Sequence, residues 1–399
     1  MKTTDGTLRG SVHPDFARVA RALEKTARRK GGAAVCVYHR GQPVVDLWTG
    51  TRDESGAPWE EDTVSLSFSV TKGITATALH MLVDRGQIDY EDRVASHWPE
   101  FAQAGKESIS VRQLLSHQAG LYPIRQYIDS AERTLDWSYM TDVLARAKPE
   151  HEPGARHAYH AWTFGWLVGE LVQRVSGKPL GEFLASEMAK PLGLDGLHVG
   201  APEHVHARAA STLRPDRQLD VEGLRPTGKR IEAALRAVRA PFSLEAFARA
   251  HLPHGMDEFD FDAAQVLSAS IPAVNGLFTA RALARLYAAL AGGGELDGVR
   301  LLSAQTLARA TEIQSRRRDY ALFGARMNWR LGYHQAFTLR GGLAPSFGHL
   351  GANGSCAWAD PSQELAVGYV RNYGLRQRFP YVQTAQISDV ALRCAVARR

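Results

Sequence analysis

The sequence predicts an α+β fold in which strands from both ends of the chain build one sheet, with a mostly helical segment inserted between them. Two observations support this class. Short apolar runs typical of strands occur near the N-terminus and in the last third of the 399-residue chain, whereas apolar residues recur at helical spacing through the middle. We therefore predict a sheet domain of residues 1–66 plus 272–399, a helical domain of residues 67–271, and a functional site in the cleft between them.

The N-terminal part of the chain supplies a helix, a pair of strands and a second helix. The periodicity predicts, in order, a helix over residues 15–30, strands over 33–38 and 44–48, and a helix from 72 to about 84. Gly41 lies in the turn between the two strands, and the second helix ends before Gly86.

The remaining elements follow from the same periodicities, with Pro and Gly residues separating them. Helices are predicted over residues 111–115, 140–147, 163–175, 180–189, 231–238, 243–251 and 279–291, the last with Thr279 as its N-cap. Strands are predicted over residues 329–333, 346–350, 354–359 and 365–371, followed by a closing helix over 384–397. The pattern is weakest over residues 200–270.

Charge and cysteine content argue against several classes of function. The formal net charge is +6, but the arginines are scattered and no basic stripe alternates with aromatic residues, so we expect no nucleic-acid partner. Cys36, Cys356 and Cys394 are too widely spaced for a disulfide framework or a paired zinc motif. The N-terminus lacks an apolar signal core and no apolar run reaches about 18 residues, which predicts a cytoplasmic protein that does not enter the membrane.

Ser69-Val70-Thr71-Lys72 is the strongest chemical signal in the chain. Side chains at i and i+3 share one helical face, with Cβ atoms roughly 5–6 Å apart, so the Lys72 amine can take the proton of the Ser69 hydroxyl. The positive end of the helix dipole favours the alkoxide and disfavours a protonated lysine. The pattern therefore indicates an activated serine nucleophile.

The same four residues also fit a solvated lysine beside a helix-capping serine. Three observations favour the catalytic interpretation. This is the only Ser-x-x-Lys in the chain, and only nine of its 48 Lys and Arg residues are lysines, although an arginine could not lose its proton. The flanking residues are small and apolar, which indicates a sheltered position.

Further segments follow this motif in a recognisable order: Leu114-Leu115-Ser116-His117-Gln118-Ala119-Gly120-Leu121, Tyr159-His160-Ala161-Trp162-Thr163-Phe164-Gly165, Pro191-Leu192-Gly193-Leu194 and His349-Leu350-Gly351. Together they resemble the serine β-lactamase and penicillin-recognising superfamily, in particular the branch of class C β-lactamases and family VIII carboxylesterases. The resemblance covers residues 15–397. It implies a serine β-lactamase-like fold, with an antiparallel sheet flanked by helices and a mostly helical inserted domain.

Two departures from the family pattern bear on the substrate. Penicillin-acting members usually carry Asn two places after the tyrosine and a Lys-Thr-Gly strand, where this chain has Ala161 and His349-Leu350-Gly351. That Asn and Lys help to bind the amide and carboxylate of a β-lactam, so their loss favours simple esters. The chain also has no Gly-x-Ser-x-Gly motif, which argues against the α/β-hydrolase fold.

The resemblance implies a role for each matched residue. Ser69 is the expected nucleophile, Lys72 the expected general base and Tyr159 the expected proton relay to the leaving alcohol, although which of Lys72 and Tyr159 is the principal base stays open. A free lysine titrates near about 10.4, so a base at neutral pH needs about 4 kcal/mol of help from burial or a dipole. The expected oxyanion donors are the backbone amides of Ser69 and Ala352. The candidates for substrate binding are Tyr122, Trp162, His349, Gly351 and Trp358.

Histidines occur in close pairs elsewhere in the chain, at positions 157 and 160, 204 and 206, and 251 and 254. No carboxylate or cysteine stands beside them at a recurrent metal spacing, so we expect neither a metal nor a cofactor. His117 lies in one of the family segments, and we expect it to make a structural hydrogen bond.

These inferences predict a serine hydrolase that cleaves carboxylic esters with short to medium acyl chains. The alternatives that share the acyl-enzyme are a β-lactamase, a D-amino-acid peptidase or amidase, and an acyltransferase. A ligand-binding homologue without turnover is an alternative of a different class. The expected partner is a small-molecule ester, and self-association into a homo-oligomer stays open.

Overall fold

The computed structural model, which describes residues 8–27, 31–214, 225–238, 240–377 and 379–398, is built around a seven-stranded antiparallel sheet. In chain order the strands are β1 (Leu8–Val12), β2 (Gly32–His39), β3 (Gln42–Gly50), β4 (Val64–Leu66), β5 (Leu197–His198), β6 (Ala209–Ala210), β7 (Leu277–Phe278), β8 (Glu295–Leu296), β9 (Val299–Arg300), β10 (His334–Thr338), β11 (Gly341–Leu350), β12 (Cys356–Asp360) and β13 (Leu365–Arg371). The large sheet has the order β1-β3-β2-β13-β12-β11-β10. A four-stranded sheet has the order β5-β7-β4-β6, and β8 and β9 form a hairpin.

In chain order, most of the helices come between β1 and β13. They are α1 (Ala17–Ala27), α2 (Val70–Asp84), α3 (Val94–His97), α4 (Val111–Leu115), α5 (Ile124–Tyr127), α6 (Trp137–Arg146), α7 (Thr163–Ser176), α8 (Leu180–Phe183), α9 (Lys190–Leu192), α10 (Glu203–His206), α11 (Arg225–Ala237), α12 (Leu244–His251), α13 (Ala264–Ser268), α14 (Ala280–Ala291), α15 (Ala304–Thr311) and α16 (Tyr381–Ala397). A π-helical stretch, Leu184–Ala189, joins α8 to α9. Short 3₁₀ turns cover Pro14–Phe16, Pro99–Phe101, Ala131–Leu135, Pro361–Gln363 and Gly374–Arg376.

The predicted sheet from both ends of the chain is confirmed. β2 pairs with β3 in a hairpin and with β13 from the C-terminal third, both antiparallel. The hairpin turns at Arg40 and Gly41, which have φ values of 54° and 70°. Two successive positive φ values give the turn a twist that matches the right-handed twist of the strands, and this fixes the register.

The alternation of side chains along β13 explains how the sheet is covered on both faces. Leu365, Val367 and Tyr369 point towards the core under α1 and α16, whereas the small residues between them face α14. A Cβ atom at Gly368 would lie 2.3 Å from the carbonyl oxygen of Ala280, so α14 packs closely on this face. α14 begins at the predicted N-cap, because the Thr279 hydroxyl accepts a hydrogen bond from the amide of Ala282.

The strand predicted over residues 329–333 is wrong. These residues form a turn in which Trp329 makes a single bridge to Ser315, and the strand begins only at β10. The amides of Leu331 and Gly332 donate to carbonyl groups in the helical part of the chain, at Ala310 and Leu115, so they are not available to a sheet. Trp329, Leu331 and Tyr333 are buried as an apolar run suggests, but they pack between layers of the fold and do not pair in a sheet.

Other differences concern the ends of elements. The helix predicted over residues 15–30 begins with a 3₁₀ turn and continues as α1, and its predicted end lies outside the described residues. The strand at 346–350 extends back to residue 341, and β1 and the four-stranded sheet were not predicted. None of the helices in the described part of the chain is long and apolar enough to cross a membrane.

Candidate active site

The turn that carries Ser69 is strained. The residue before it, Phe68, has a φ of 48°, a conformation that is costly for an aromatic residue, by about 1–3 kcal/mol. Thr71 holds this turn in place, because both its amide and its hydroxyl donate to the carbonyl of Phe68, at 2.9 and 2.6 Å. Ser69 is the N-cap of α2, yet its side chain makes no capping hydrogen bond. Its hydroxyl is therefore free for chemistry.

Lys72 lies one turn further along α2 and is 0% exposed. Its Nζ atom is 3.0 Å from Ser69 Oγ, 2.6 Å from the carbonyl oxygen of Ala161 and 3.0 Å from that of Ala273. Burial holds the pKa of the Lys72 amine well below its usual value. In the described part of the chain Lys72 forms no ion pair that would oppose this shift.

The three contacts define where the lone pair of a neutral Lys72 amine points. Two N–H groups are occupied by the carbonyl oxygens of Ala161 and Ala273, and the remaining position faces Ser69 Oγ. A neutral amine has two N–H donors and one lone pair, so the lone pair is directed at the serine hydroxyl. The arrangement lets Lys72 accept the proton of Ser69.

Tyr159 completes the group predicted from the sequence. The Ser69 side chain lies close enough to its phenol to oppose a rise of the phenol pKa, and Lys72 Nζ lies 4.9 Å from the centre of its ring. Burial raises the pKa of the Tyr159 phenol, and the nearby Ser69 side chain opposes this only in part. Ser69, Lys72 and Tyr159 are thus brought together, with the phenol held in its protonated form.

His117 fixes the segment that carries Tyr159. Its carbonyl accepts from the amide of Ala158 at 3.1 Å, and its Nδ1 accepts from the amide of His160 at 3.3 Å. His117 itself has a φ of 60°, and its ring lies edge-on to Tyr159 at 4.9 Å. The predicted structural hydrogen bond of His117 is confirmed, and it acts on the tyrosine loop.

The residues predicted to build the oxyanion hole lie beside the nucleophile turn. A Cβ atom at Gly351 would come within 2.2 Å of the carbonyl oxygen of Ser67, so only glycine fits there. Ala352 is exposed, and in the described part of the chain neither its amide nor that of Ser69 has a hydrogen-bond acceptor. Two free amides at this point are what an oxyanion hole requires. Their role remains a prediction.

Asn353 links this loop to the strand that leads into the nucleophile. Its side-chain nitrogen donates to the carbonyls of Leu66 at 2.9 Å and Arg371 at 2.8 Å, and its oxygen accepts from the amide of Ser355 at 3.0 Å. Asn353 is buried, so all three bonds are shielded from water. The loop after β11 and the turn before α2 are therefore held at a fixed separation.

Two of the predicted substrate-binding residues, His349 and Trp162, lie beside the cluster of Ser69, Lys72 and Tyr159. His349 on β11 has its ring 6.2 Å from that of Tyr159, and burial keeps its pKa well below the usual value, so the ring is neutral. Trp162 donates its indole N–H to the carbonyl of His251 at 3.1 Å and stacks against Phe261, which in turn contacts Phe68. An aromatic cluster thus adjoins the residue that precedes Ser69.

Of the other predicted substrate-binding residues, Trp358 lies away from this group, whereas Tyr122 keeps its ring 6.4 Å from that of His160, next to Tyr159. Tyr122 lines a polar cavity of about 120 Å³ with Glu150 and Arg249, and none of Ser69, Lys72 and Tyr159 is among the lining residues. The substrate-binding prediction for Trp358 is wrong, because side chains alternate along β12 and this one points to the far face of the sheet. Its indole donates to Ser388 on α16 at 3.0 Å.

Two residues next to Tyr159 were not identified from the sequence. Asp319 accepts from the amide of Tyr159, and Trp329 stacks on its ring. Neither stands in a motif quoted from the sequence, and an isolated aspartate in a polar stretch gives no sign of burial. Within the described residues no cluster of three or more His, Cys, Asp or Glu side chains could hold a metal ion.

A family model, a relative of known sequence and two solved structures match nearly the whole chain. The family model described as Beta-lactamase matches residues 16–391. "Esterase/beta-lactamase LipL" of Mycobacterium tuberculosis is 40% identical over 387 residues, which are 96% of this chain and 86% of that protein. A solved family VIII carboxylesterase is 33% identical, with 97% of this chain and 99% of that one covered at a TM-score of 0.82. A penicillin-binding protein homologue from Caulobacter crescentus is 32% identical, with 98% and 100% covered at a TM-score of 0.82.

Proposed function

The chain belongs to the β-lactamase family and is a serine hydrolase of that superfamily, and from this premise we propose that it hydrolyses neutral carboxylic esters through an acyl-enzyme on Ser69. The observation that carries the proposal is the contact of the buried Lys72 amine, whose pKa burial holds well below its usual value, with the Ser69 hydroxyl. The similarity to "Esterase/beta-lactamase LipL" and to a family VIII carboxylesterase supports an ester as the substrate.

In the acylation step, Ser69 Oγ attacks the ester carbonyl while its proton passes to the lone pair of Lys72. The carbonyl oxygen becomes negative and is stabilised by the amides of Ser69 and Ala352. Collapse of this intermediate breaks the bond to the alkoxy group, which leaves as the alcohol after it receives a proton. Water then attacks the acyl-enzyme, and the acid is released with Ser69 regenerated.

We assign the principal base to Lys72 and the proton delivery to Tyr159. Burial raises the pKa of the Tyr159 phenol and holds that of the Lys72 amine well below its usual value, which favours a protonated phenol and a neutral amine with a free lone pair. A group with a proton is suited to protonate the leaving alcohol, and a group without one is suited to activate the nucleophile. After the alcohol has left, the Lys72 ammonium returns its proton to the Tyr159 phenolate. In deacylation the Lys72 amine takes a proton from the attacking water and delivers it to Ser69 Oγ as the acid is released.

A neutral substrate is favoured by the charges around the site. Burial lowers the pKa of His349, whose ring adjoins Tyr159, and lowers that of His334, whose ring adjoins His349, to about 4, so both rings are uncharged at neutral pH. No guanidinium or second amine of the described residues contacts Ser69, Lys72 or Tyr159. A substrate carboxylate placed against these three residues, such as that of a β-lactam or a D-peptide, would therefore have no cation of the described residues to pair with.

The test is hydrolysis of p-nitrophenyl esters with acyl chains from two to twelve carbons, with the intact mass of the protein measured during turnover. We expect a burst of nitrophenol, an acyl adduct on Ser69, and loss of both in Ser69→Ala. Ser388→Ala, which removes a buried serine hydroxyl on α16, is the control and should keep full activity. Absence of turnover with every ester would refute the proposal, and nitrocefin turnover at a comparable rate would favour a β-lactamase. Transfer of the acyl group to added alcohol in preference to water would favour an acyltransferase.

A further inference from the structure

Asp319 is a carboxylate sealed inside the protein without a countercharge. It is 0% exposed, and no cation of the described residues forms an ion pair with it. Its Oδ1 accepts from the amides of Tyr159 at 3.2 Å and Ala321 at 2.9 Å, and its Oδ2 accepts from the indole N–H of Trp329 at 2.9 Å. Burial raises the pKa of Asp319 to about 7 despite these donors. A group this costly to bury calls for an explanation.

Asp319 completes the fixation of the tyrosine loop. Three successive amides of this loop are held, those of Ala158 and His160 by His117 and that of Tyr159 by Asp319. The hydrogen bond from Asp319 therefore acts on the backbone of Tyr159 itself, whereas His117 holds the residues on either side. Together they define the position from which the phenol side chain projects.

The second oxygen of Asp319 acts on the ring of Tyr159 through Trp329. The two rings are stacked, with centroids 5.3 Å apart and planes inclined by only 11°. Trp329 is fully buried, and the bond from its indole N–H to Asp319 sets its rotation. One carboxylate thus fixes the start of the Tyr159 side chain and the surface against which its ring lies.

We propose that Asp319 is a positioning residue for Tyr159, which it holds with its hydroxyl aimed at Ser69 by binding the Tyr159 amide and the Trp329 indole together. The inference rests on the proposed role of Tyr159 as the group that protonates the leaving alcohol. A displacement of about 1 Å at such a group can lower a rate by roughly a hundredfold. Asp319 does not touch the reacting atoms, so its effect is felt only through Tyr159.

The dependence of the rate on the leaving group separates this role from simple stabilisation of the fold. An alkyl alcohol is a poor leaving group that needs the proton from Tyr159, whereas nitrophenolate leaves without it. Misplacement of Tyr159 therefore slows the hydrolysis of an ethyl ester more than that of the nitrophenyl ester with the same acyl group. A loss of folded protein slows both by the same factor.

The variant to make is Asp319→Asn. If its oxygen faces the two amides, its NH₂ group faces the Trp329 N–H, and two donors then oppose each other. We expect kcat for the ethyl ester to fall roughly tenfold or more and kcat for the nitrophenyl ester to fall at most about threefold, with KM little changed. Asp360→Asn is the matched control, because Asp360 is a buried carboxylate that caps Ser362 far along the sheet.

Tyr159→Phe shows how far the ratio of the ethyl-ester rate to the nitrophenyl-ester rate falls when the phenol hydroxyl is absent. Asp319→Asn should lower the same ratio. Trp329→Phe keeps a stacked ring but removes the indole N–H, and it carries the test if Asp319→Asn does not fold. An unchanged ratio in a folded Asp319→Asn or Trp329→Phe variant, or the same change of ratio in Asp360→Asn, would overturn the inference. If wild-type protein hydrolyses neither ester, the proposed function fails instead.

Discussion

Lys72 Nζ and Ser69 Oγ lie 3.0 Å apart, and the amine is enclosed by backbone carbonyls and apolar side chains, with no carboxylate of the described residues paired with it. The consequence is a lysine whose pKa lies well below its usual value, so that it gives up its proton more readily than a lysine in water. Activity and stability both depend on this enclosure, and both can be measured.

The stability of the folded protein should rise with pH because of Lys72. Its pKa is lowered in the folded state, whereas in the unfolded chain it is about 10.4. Between these values unfolding takes up a proton, so the free energy of unfolding increases with pH, by at most about 1.4 kcal/mol per unit. Urea unfolding of wild type and Lys72→Met from pH 7.5 to 9.5 should show a difference that grows with pH in favour of wild type. A constant difference would mean that Lys72 is charged in the fold.

Acid should weaken the fold through buried histidines. Burial lowers the pKa of His80 and that of His334 to about 4, against about 6.5 in an unfolded chain. Below about 6.5 the unfolded state therefore binds more protons, and stability is lost as the pH falls towards 4. His80→Gln, away from the reacting groups, should reduce the slope of unfolding free energy against pH by about 1 kcal/mol per unit near pH 5. An unchanged slope would show that His80 does not stay neutral.

Replacement of Asn353 should lower the rate of ester hydrolysis by more than its effect on the free energy of unfolding would explain. Asn353→Ala removes the link between the loop of Ala352 and the strand before Ser69, and we expect kcat on nitrophenyl esters to fall about tenfold. Asn372 is the matched control, because it is equally buried and also donates to two carbonyls and accepts from one amide, those of Thr51, Arg52 and Gly32.

Both alanine variants should lose about 1–3 kcal/mol of unfolding free energy, since each leaves buried backbone groups without partners. Only Asn353→Ala should lose rate per folded molecule, as measured by burst amplitude and steady-state turnover. Equal losses of rate in the two variants would remove the assigned role of Asn353.

Trp358→Phe should leave ester hydrolysis within about twofold of wild type, because this side chain lies on the α16 face of the sheet. The lost hydrogen bond to Ser388 should lower the unfolding free energy by about 1 kcal/mol. Trp162→Phe should instead change the preference for acyl-chain length, since Trp162 adjoins Phe68 and Phe261. The two variants can be compared over the same ester series, and a shift in preference with Trp358→Phe would contradict the orientation of this residue.

The sequence was sufficient for the fold class and for the residues that carry strong local signals. Helix α2 and the hairpin of β2 and β3 follow from periodicity and turn chemistry, and the Ser69–Lys72 contact follows from the geometry of one helical turn. The pairing of Tyr159 with them could be inferred only from the order of family segments, since the tyrosine reaches them from a distant part of the chain.

What could not be predicted depends on long-range packing. Trp358 was misjudged because an aromatic on a strand next to the site gives no indication of which sheet face it occupies until the register is known. Asp319 was missed because a buried carboxylate looks like a surface one in sequence. The turn at residues 329–333 was taken for a strand because apolar residues between layers have no period of their own.

The pairing of β2 with β13 also decides when the protein can become active. Ser69, Lys72, Tyr159 and Ala352 are all synthesised before β13, so a growing chain on the ribosome holds every reacting group while β2 still lacks its neighbour. Contacts this distant in sequence form slowly and leave an open strand edge in the meantime. Nascent or truncated chains that end before Leu365 should therefore be inactive and prone to aggregate, although no reacting group is missing from them.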